Sequence, residues 1–389
     1  MRILHTSDWH IGRTFHGEST LAHLEEVLRA LTEFVPEHDV DVVVVAGDIF
    51  DSSAPAAAAF DFLAAALQRL RAAGATVVVS SGNHDSAARL RFPSAWAKLA
   101  DIHISADPAQ PAAPIELRDE HGSVRCYPIP YLEPALVRHL PGADGVRSQE
   151  DALRWATEAV RADLTAHGSD GERTLVLAHC FASGVPETTP GDDIERDLTA
   201  GGIDVVPSSL FEGFDYVALG HIHSRVEVTE RIRYSGAPLH YSFSEAGAPR
   251  GAWLVDLDAD GFAGATWLEL PVPRALTRLR GELDELLTNA AHADAAGDWV
   301  QAQLTDAARP IDAMRRLRAR FPHAVHLEYD PPAPAEGAPS HLEQLSQHTS
   351  DEQRLRSFFE FVRGESATEA ELDELDELLA AARAKEAQR

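Results

Sequence analysis

Five apolar runs in this chain each break off at a polar turn carrying an imidazole, a carboxylate or a carboxamide, and nothing else restricts its fold as much. They read ILHTSDWH (Ile3 to His10), VVVVAGD (Val42 to Asp48), VVSSGNHD (Val78 to Asp85), LVLAH (Leu175 to His179) and YVALGHIH (Tyr216 to His223). An unbroken β-branched run such as Val42 to Val45 is what a parallel strand covered on both faces requires. In open α/β sheets, ligands bind in the crevice beyond the carboxyl ends of the strands. The pattern therefore predicts that Asp8, His10, Asp48, Asn83, His179, His221 and His223 converge, with His84 beside them.

Taken singly these motifs say little, since DxH and GD commonly serve as turns or helix caps. Taken together, imidazole and carboxylate donors suit manganese, iron or zinc, and the seven donors, Asn83 included, exceed one tetrahedral shell. Two ions sharing one carboxylate fit better. Such pairs sit about 3.5–4 Å apart and clamp the attacking and leaving oxygens of a phosphoryl displacement. The expectation is a phosphoesterase.

Helical periodicity fills the gaps between these strands. Leu21, Leu24, Leu28, Leu31 and Val35 recur at helical spacing up to Pro36, and a second helix is expected from near Ser53, with Pro55 in its first turn, to Gly74. Strand and helix thus alternate, which argues a βαβ-built α/β domain. Asp107 to Pro141 reads as an irregular excursion with a short strand-like piece at Val124 to Pro128, and Phe181 to Ser209 as a long surface loop. Arg225 to Tyr234, Gly251 to Leu257 and Ala265 to Leu270 are expected to complete a second sheet. After Pro271 and Pro273 the pattern reads helix (Leu276, Leu279, Leu283, Leu286), strand, helix, strand. A proline-rich stretch from Asp330 to Pro339 reads as a linker. Two amphipathic helices follow, carrying Leu355, Phe358, Phe359 and Val362, then Leu372, Leu375, Leu378 and Leu379.

Charge and cysteine content narrow the partners. The formal charge is −28, from 62 acidic against 34 basic residues, and Lys98 and Lys385 are the only lysines. Non-specific nucleic-acid affinity comes largely from neutralising phosphates, so any DNA contact must use local arginines, the metals or a partner. Arg89 and Arg91, just after GNHD, are the candidates. Cys126 and Cys180 are too few for a disulfide framework, no signal pattern opens the chain, and no apolar run approaches ~18 residues. A cytoplasmic, nucleoid-associated protein with no membrane segment is expected.

DWH, GDIFD, GNHD, AHC and GHIH resemble the calcineurin-like metallophosphoesterases over about residues 1 to 270. DWHIG, GDIFD, YPIPYLEP and YVALGHIHS with RYSGAPLHYSFSE resemble, more narrowly, the nuclease subunits of bacterial SbcCD-type complexes. The resemblance implies a two-sheet α/β sandwich with a small α/β cap domain and a C-terminal helix pair. It divides the chain into a nuclease domain (1–272), a cap (273–330), a proline-rich linker (331–349) and a helical segment that binds the partner (350–389). It further implies that Asp8, His10, Asp48 and His223 hold one metal, and that Asp48, Asn83, His179 and His221 hold the other. His84 takes the role of the phosphate-contacting histidine, with Asp85 orienting its ring. Asp51 stands where archaeal and eukaryotic relatives carry a histidine, so that role does not transfer to it.

The implied activity is that of a manganese-dependent DNA exonuclease and endonuclease, homodimeric and partnered by an SbcC-type SMC-like ATPase. Two rivals stand beside it: a stand-alone small-molecule phosphodiesterase and a catalytically silent scaffold.

Overall fold

The computed structural model describes residues 1–389 except 168–170, 187–188, 190–204, 333–349, 364–366 and 387–389. The proline-rich linker thus lies almost wholly outside the described residues, as does most of the segment between Phe181 and Ser209. The chain divides into two units, Met1–Ala275 and Leu276–Arg389.

Two six-stranded sheets build the first unit. One runs in the order Gly261–Glu269, Gly251–Asp258, Arg2–Thr6, Val42–Ala46, Thr76–Ser80, Ile102–Ser105. Its last four strands are parallel and its first two antiparallel. The other runs Val226–Glu227, Ile232–Tyr234, Tyr216–Gly220, Arg173–His179, Gly122–Pro128, Ile115–Asp119. Alternate residues along each strand face opposite sides, and both sides are apolar here. Ile3, Val42, Val44 and Val78 of the first sheet meet Cys126, Leu175, Leu177 and Ala218 of the second in a shared core.

The outer faces are covered by helices. Val43, Val45, Val77 and Val79 pack on Leu24, Leu28 and Leu31 of the helix Leu21–Glu37 and on Leu63, Leu67 and Leu70 of the helix Ala57–Ala72. Val176, Ala178, Val217 and Leu219 pack on Leu153, Ala156 and Val160 of the helix Gln149–His167. The result is a two-sheet α/β sandwich of four layers. Burial on both faces is worth about 1.5–3 kcal/mol per large apolar side chain, which is why the strands read as continuous apolar runs.

The second unit is a small α/β domain followed by a helix pair. Leu276–Gly281, Trp299–Leu304 and Ala324–Tyr329 form a parallel sheet with the middle strand central. Leu283, Leu286, Leu317 and Phe321 pack on it. Helices Asp351–Arg363 and Glu369–Glu386 follow, with Arg356 ion-paired to Asp376 at 2.9 Å.

The fold departs from the sequence expectations in four places. Gly251–Asp258 and Gly261–Glu269 extend the first sheet, not the second, because the open edge of Arg2–Thr6 accepts Gly251–Asp258 as an antiparallel neighbour. The stretch from Asp107 to Pro141 is more regular than expected: Val124 to Pro128 does lie on a strand, Gly122–Pro128, but this strand pairs with Ile115–Asp119 to form the far edge of the second sheet. Leu276 and Leu279 lie on a strand, where pairing with Trp299–Leu304 overrides their helical spacing. The second helix starts at Ala57, two residues beyond Pro55, and the first helix runs one residue past Pro36.

Candidate metal centre

The carboxyl ends of the two sheets meet at a glycine-lined seam. A Cβ on Gly220 would lie 1.8 Å from the Ala46 carbonyl oxygen, and one on Gly47 would lie 2.1 Å from Nδ1 of His179. Only residues without a side chain allow this approach. Across the seam, the loops after Arg2–Thr6, Val42–Ala46 and Thr76–Ser80 face those that end Arg173–His179 and Tyr216–Gly220. Asp8, His10, Asp48 and Asn83 come from the first sheet; His179, His221 and His223 come from the second.

Backbone hydrogen bonds lock these loops together. The amides of Asp8 and His10 donate to the carbonyls of Gly47 (3.1 Å) and Asp48 (3.0 Å). Asp8, His10, Asp48 and His221 have φ of 53°, 44°, 48° and 99°. Non-glycine residues held in such conformations cost on the order of 1–3 kcal/mol each and cluster at functional sites.

The side chains converge on Asp48. Its Oδ1 accepts the His84 amide at 2.9 Å. Its Oδ2 is buried without a hydrogen-bond partner, and lies 3.3 Å from Nε2 of His179, 3.6 Å from Nε2 of His10 and 3.9 Å from Nε2 of His84. Asn83 Oδ1 is 2.9 Å from Nε2 of His179 and 3.3 Å from Nδ1 of His221. Asp8 Oδ1 accepts the amide of His221 at 2.9 Å. Three overlapping donor groups result, Asp8–His10–His223, His10–Asp48–His84 and Asp8–Asp48–His179, each with its ligand atoms within 4.8 Å.

The far nitrogens set the tautomers, because a hydrogen bond at one ring nitrogen decides what the other can do. His179 Nδ1 donates to the Ala46 carbonyl at 3.0 Å, so its Nε2 lone pair points at two oxygen acceptors. His10 Nδ1 faces Asp51 Oδ1 at 3.4 Å, and His223 Nδ1 faces Glu245 Oε1 at 3.6 Å. Protons there leave Nε2 of His10 and Nε2 of His223 as lone pairs 3.0 Å apart. Lone pairs and carboxylate oxygens turned toward one another among buried side chains are balanced by cations or by protons. The donor set therefore fits divalent metals.

The proton affinities say the same. Burial lowers that of His179, but Asp48 and Asp8 outweigh it and push the pKa to about 10. Burial raises Asp48, yet His179, His10 and His84 hold it well below the usual carboxylate range. Asp8 is raised to about 6 by burial, against His179 and His223. His10 is lowered to about 4, chiefly by burial.

His84 sits at the edge of the cluster, its ring edge-on to that of His10 with centroids 4.9 Å apart. Its Nδ1 meets the Asp51 carbonyl at 3.0 Å, which corrects the expectation that Asp85 orients it. The Asp85 carboxylate instead accepts the amides of Ile49 (3.1 Å), Phe50 (2.9 Å) and Gly82 (2.9 Å). Through these three N–H groups it ties two of the donor loops together. Of the two candidate DNA contacts, Arg91 is ion-paired with Asp107 at 2.5 Å, and Arg89 donates to the Ser53 carbonyl.

Sequence reasoning missed the layer beneath the donors. Glu245 and Arg250 form a fully buried ion pair, and Arg250 also donates to the His223 carbonyl. Tyr241 donates to the Trp9 carbonyl at 2.8 Å and packs edge-on against His10 and His223. No local pattern in the sequence marks Glu245 and Arg250 as partners; Glu245 closes the segment from Arg233 to Glu245 that carries part of the resemblance.

A family model of the calcineurin-like phosphoesterases matches residues 1–225, more than half of the chain. The chain belongs to this family. A second model, SbcD_C, described as the type 5 capsule protein repressor C-terminal domain, matches residues 272–363. With both matches the phosphoesterase has the layout of an SbcD-type nuclease subunit. Similar solved structures include TT1561 of Thermus thermophilus (14% identity, 69% of this chain and 98% of that one, TM-score 0.40). Another is a dimetal phosphatase from Danio rerio (16% identity, 70% and 99%, TM-score 0.39). Membership implies a metal-dependent phosphoesterase with a dinuclear divalent site. No helix among the described residues is long and apolar enough to cross a membrane.

Proposed function

We propose that this phosphoesterase is a manganese-dependent DNA nuclease, a 3′→5′ exonuclease on double-strand ends and an endonuclease on single strands and hairpins. The observation that carries a two-metal reading is the position of Asp48, whose buried Oδ2 lies between the imidazoles of the two donor sets. Asp8, His10, Asp48 and His223 form one set, and Asp48, Asn83, His179 and His221 the other. Two divalent ions held there would neutralise the phosphodiester and make an attacking water acidic. The chain's own residues do the rest. Asp51 and Glu245 turn Nε2 of His10 and of His223 inward, and the Ala46 carbonyl does so for His179. His84, whose Nδ1–H is held by the Asp51 carbonyl, turns Nε2 toward the leaving oxygen and gives it a proton from the doubly protonated ring. Arg89, which has no ion-pair partner among the described residues, supplies a backbone contact; Arg91 is neutralised by Asp107.

The partner reading rests on the C-terminal domain match. An SbcC-type SMC-like ATPase would take the helices Asp351–Arg363 and Glu369–Glu386 on an apolar groove, where Phe358 and Leu378 stay 52% and 64% exposed. Phe92 and Trp96, packed edge-to-face with centroids 5.5 Å apart and largely exposed, suit the contact between two copies in a homodimer. The division at 1–272, 273–330, 331–349 and 350–389 follows the same reading.

The test is Mn²⁺-dependent cleavage of hairpin DNA, a cyclic nucleotide and a chromogenic diester, with and without the ATPase and ATP. DNA cleavage by the wild type, lost in His84→Ala with two metals still bound, supports the proposal. Hydrolysis confined to the small diesters makes the chain a small-molecule phosphodiesterase, and no hydrolysis makes it a scaffold.

A further inference from the structure

The YPIPYLEP segment contributes no metal donor, yet it builds a pocket against the metal centre. The pocket holds about 320 Å³ and is lined by Tyr131, Glu133, Arg138, Arg147 and Ser148, with Pro134, Ala135 and Val146 as its apolar wall. Tyr131 joins it to the site: its amide donates to the Ser81 carbonyl at 2.9 Å, two residues before Asn83. Its ring meets the His179 imidazole edge-on, with centroids 6.4 Å apart. Pocket and metal donors therefore share a wall.

The lining is unusual for so acidic a chain. Arg138 and Arg147 are exposed, and neither is ion-paired among the described residues. Arg138 contacts His139 Nε2 at 3.3 Å, and Arg147 donates to the carbonyls of Asp144 (2.8 Å) and Val146 (2.7 Å). An aromatic ring, two guanidiniums, a carboxylate and a hydroxyl in one recess match the parts of a nucleotide. The ring stacks a base whatever its identity. Guanidiniums grip phosphate oxygens with directional N–H pairs. Glu133 accepts from an exocyclic amine or a sugar hydroxyl. The volume lies at the small end of the ~300–1,000 Å³ range of ligand pockets, which suits one nucleotide and not a duplex.

We propose that this pocket binds the nucleotide next to the scissile phosphate, with its base on Tyr131 and its outer phosphate on Arg138 and Arg147. The proposal rests on the nuclease reading above and deepens it: the substrate strand is held by one unpaired nucleotide, so a frayed end or hairpin loop is engaged before a closed duplex.

The test is calorimetric binding to the Mn²⁺-loaded full chain of three probes: deoxyribose 5-phosphate, dAMP and deoxyadenosine 3′,5′-bisphosphate. All three offer the metals the same phosphate, so the increments read the pocket. The base should tighten binding about fivefold or more, and the second phosphate should tighten it further. Tyr131→Leu should erase the base increment and Tyr131→Phe keep it. Arg138→Gln with Arg147→Gln should erase the phosphate increment alone. Metal content and thermal midpoint, measured on each variant, confirm that it is folded and loaded. Equal binding of the three probes by the wild type, or increments that survive these changes, would overturn the proposal. A wild type that cleaves no DNA but shows both increments would instead defeat the nuclease reading and leave a site for free nucleotides.

Discussion

Glu245 and Arg250 allow stability to be separated from metal binding. Their side chains are 0% and 1% exposed and ion-paired. Glu245 also accepts the Tyr241 amide at 3.2 Å and faces Nδ1 of His223 at 3.6 Å. Burial raises the Glu245 pKa, but Arg250 and His223 outweigh it and hold the carboxyl ionised. Truncating it with Glu245→Ala strands a buried guanidinium, which costs about 3–5 kcal/mol. Replacing both partners, with Glu245→Leu and Arg250→Met, removes two desolvated charges together and should be less damaging than the single change, the remaining cost being about 1–3 kcal/mol for the Tyr241 amide left without its acceptor. Metal binding should not recover in the same way. Loss of a carboxylate behind a ligand histidine weakens binding about 10–100-fold, or roughly 1.4–2.7 kcal/mol, and the double variant lacks that carboxylate as well. Urea denaturation of the metal-free chain gives the first quantity, and calorimetric titration with Mn²⁺ gives the second. Equal destabilisation in the single and double variants would refute the ion-pair argument. Wild-type Mn²⁺ affinity in the double variant would refute the orienting role of Glu245.

Other outcomes follow from the same geometry. Asp48→Ala should weaken both metal sites together, and calorimetry that finds one intact high-affinity site would rule out a shared carboxylate. Gly220→Ala forces a Cβ to within 1.8 Å of the Ala46 carbonyl; it should lower the denaturation midpoint sharply and reduce metal uptake, and wild-type values for both would contradict the seam. His5, buried between Tyr216 and the Leu219 carbonyl, has its pKa lowered to about 3, mainly by burial. The unfolded state therefore binds the extra proton, and stability falls as pH drops from about 6.5 toward 3, by up to roughly 1.4 kcal/mol per pH unit. His5→Gln should flatten that slope in acid denaturation, and an unchanged slope would assign the acid sensitivity elsewhere. Deletion after Pro339 should spare cleavage of simple diesters but abolish co-purification with the ATPase; a complex that survives it defeats the docking assignment.

The five strands and the donors at their ends were legible in the sequence because burial on both faces demands apolar runs, and metal-binding chemistry demands imidazoles and carboxylates where those runs stop. Residue identity carries both signals locally. What tertiary structure alone decided is which strands belong to which of the two sheets. His179 and His221 reach Asp48 and Asn83 across a seam, not along one sheet edge, and Gly47, Gly82 and Gly220 matter because backbone or donor atoms press within about 3 Å of where a Cβ would stand. Local spacing also could not place Leu276 and Leu279 on a strand, or give Gly251–Asp258 to the edge of Arg2–Thr6, since pairing partners lie far away in the chain. The same holds for the supporting groups. Asp51, Glu245 and the Ala46 carbonyl orient histidines that are distant in sequence, and which nitrogen of each ring faces the site is set by those contacts, a property that exists only once the chain has folded.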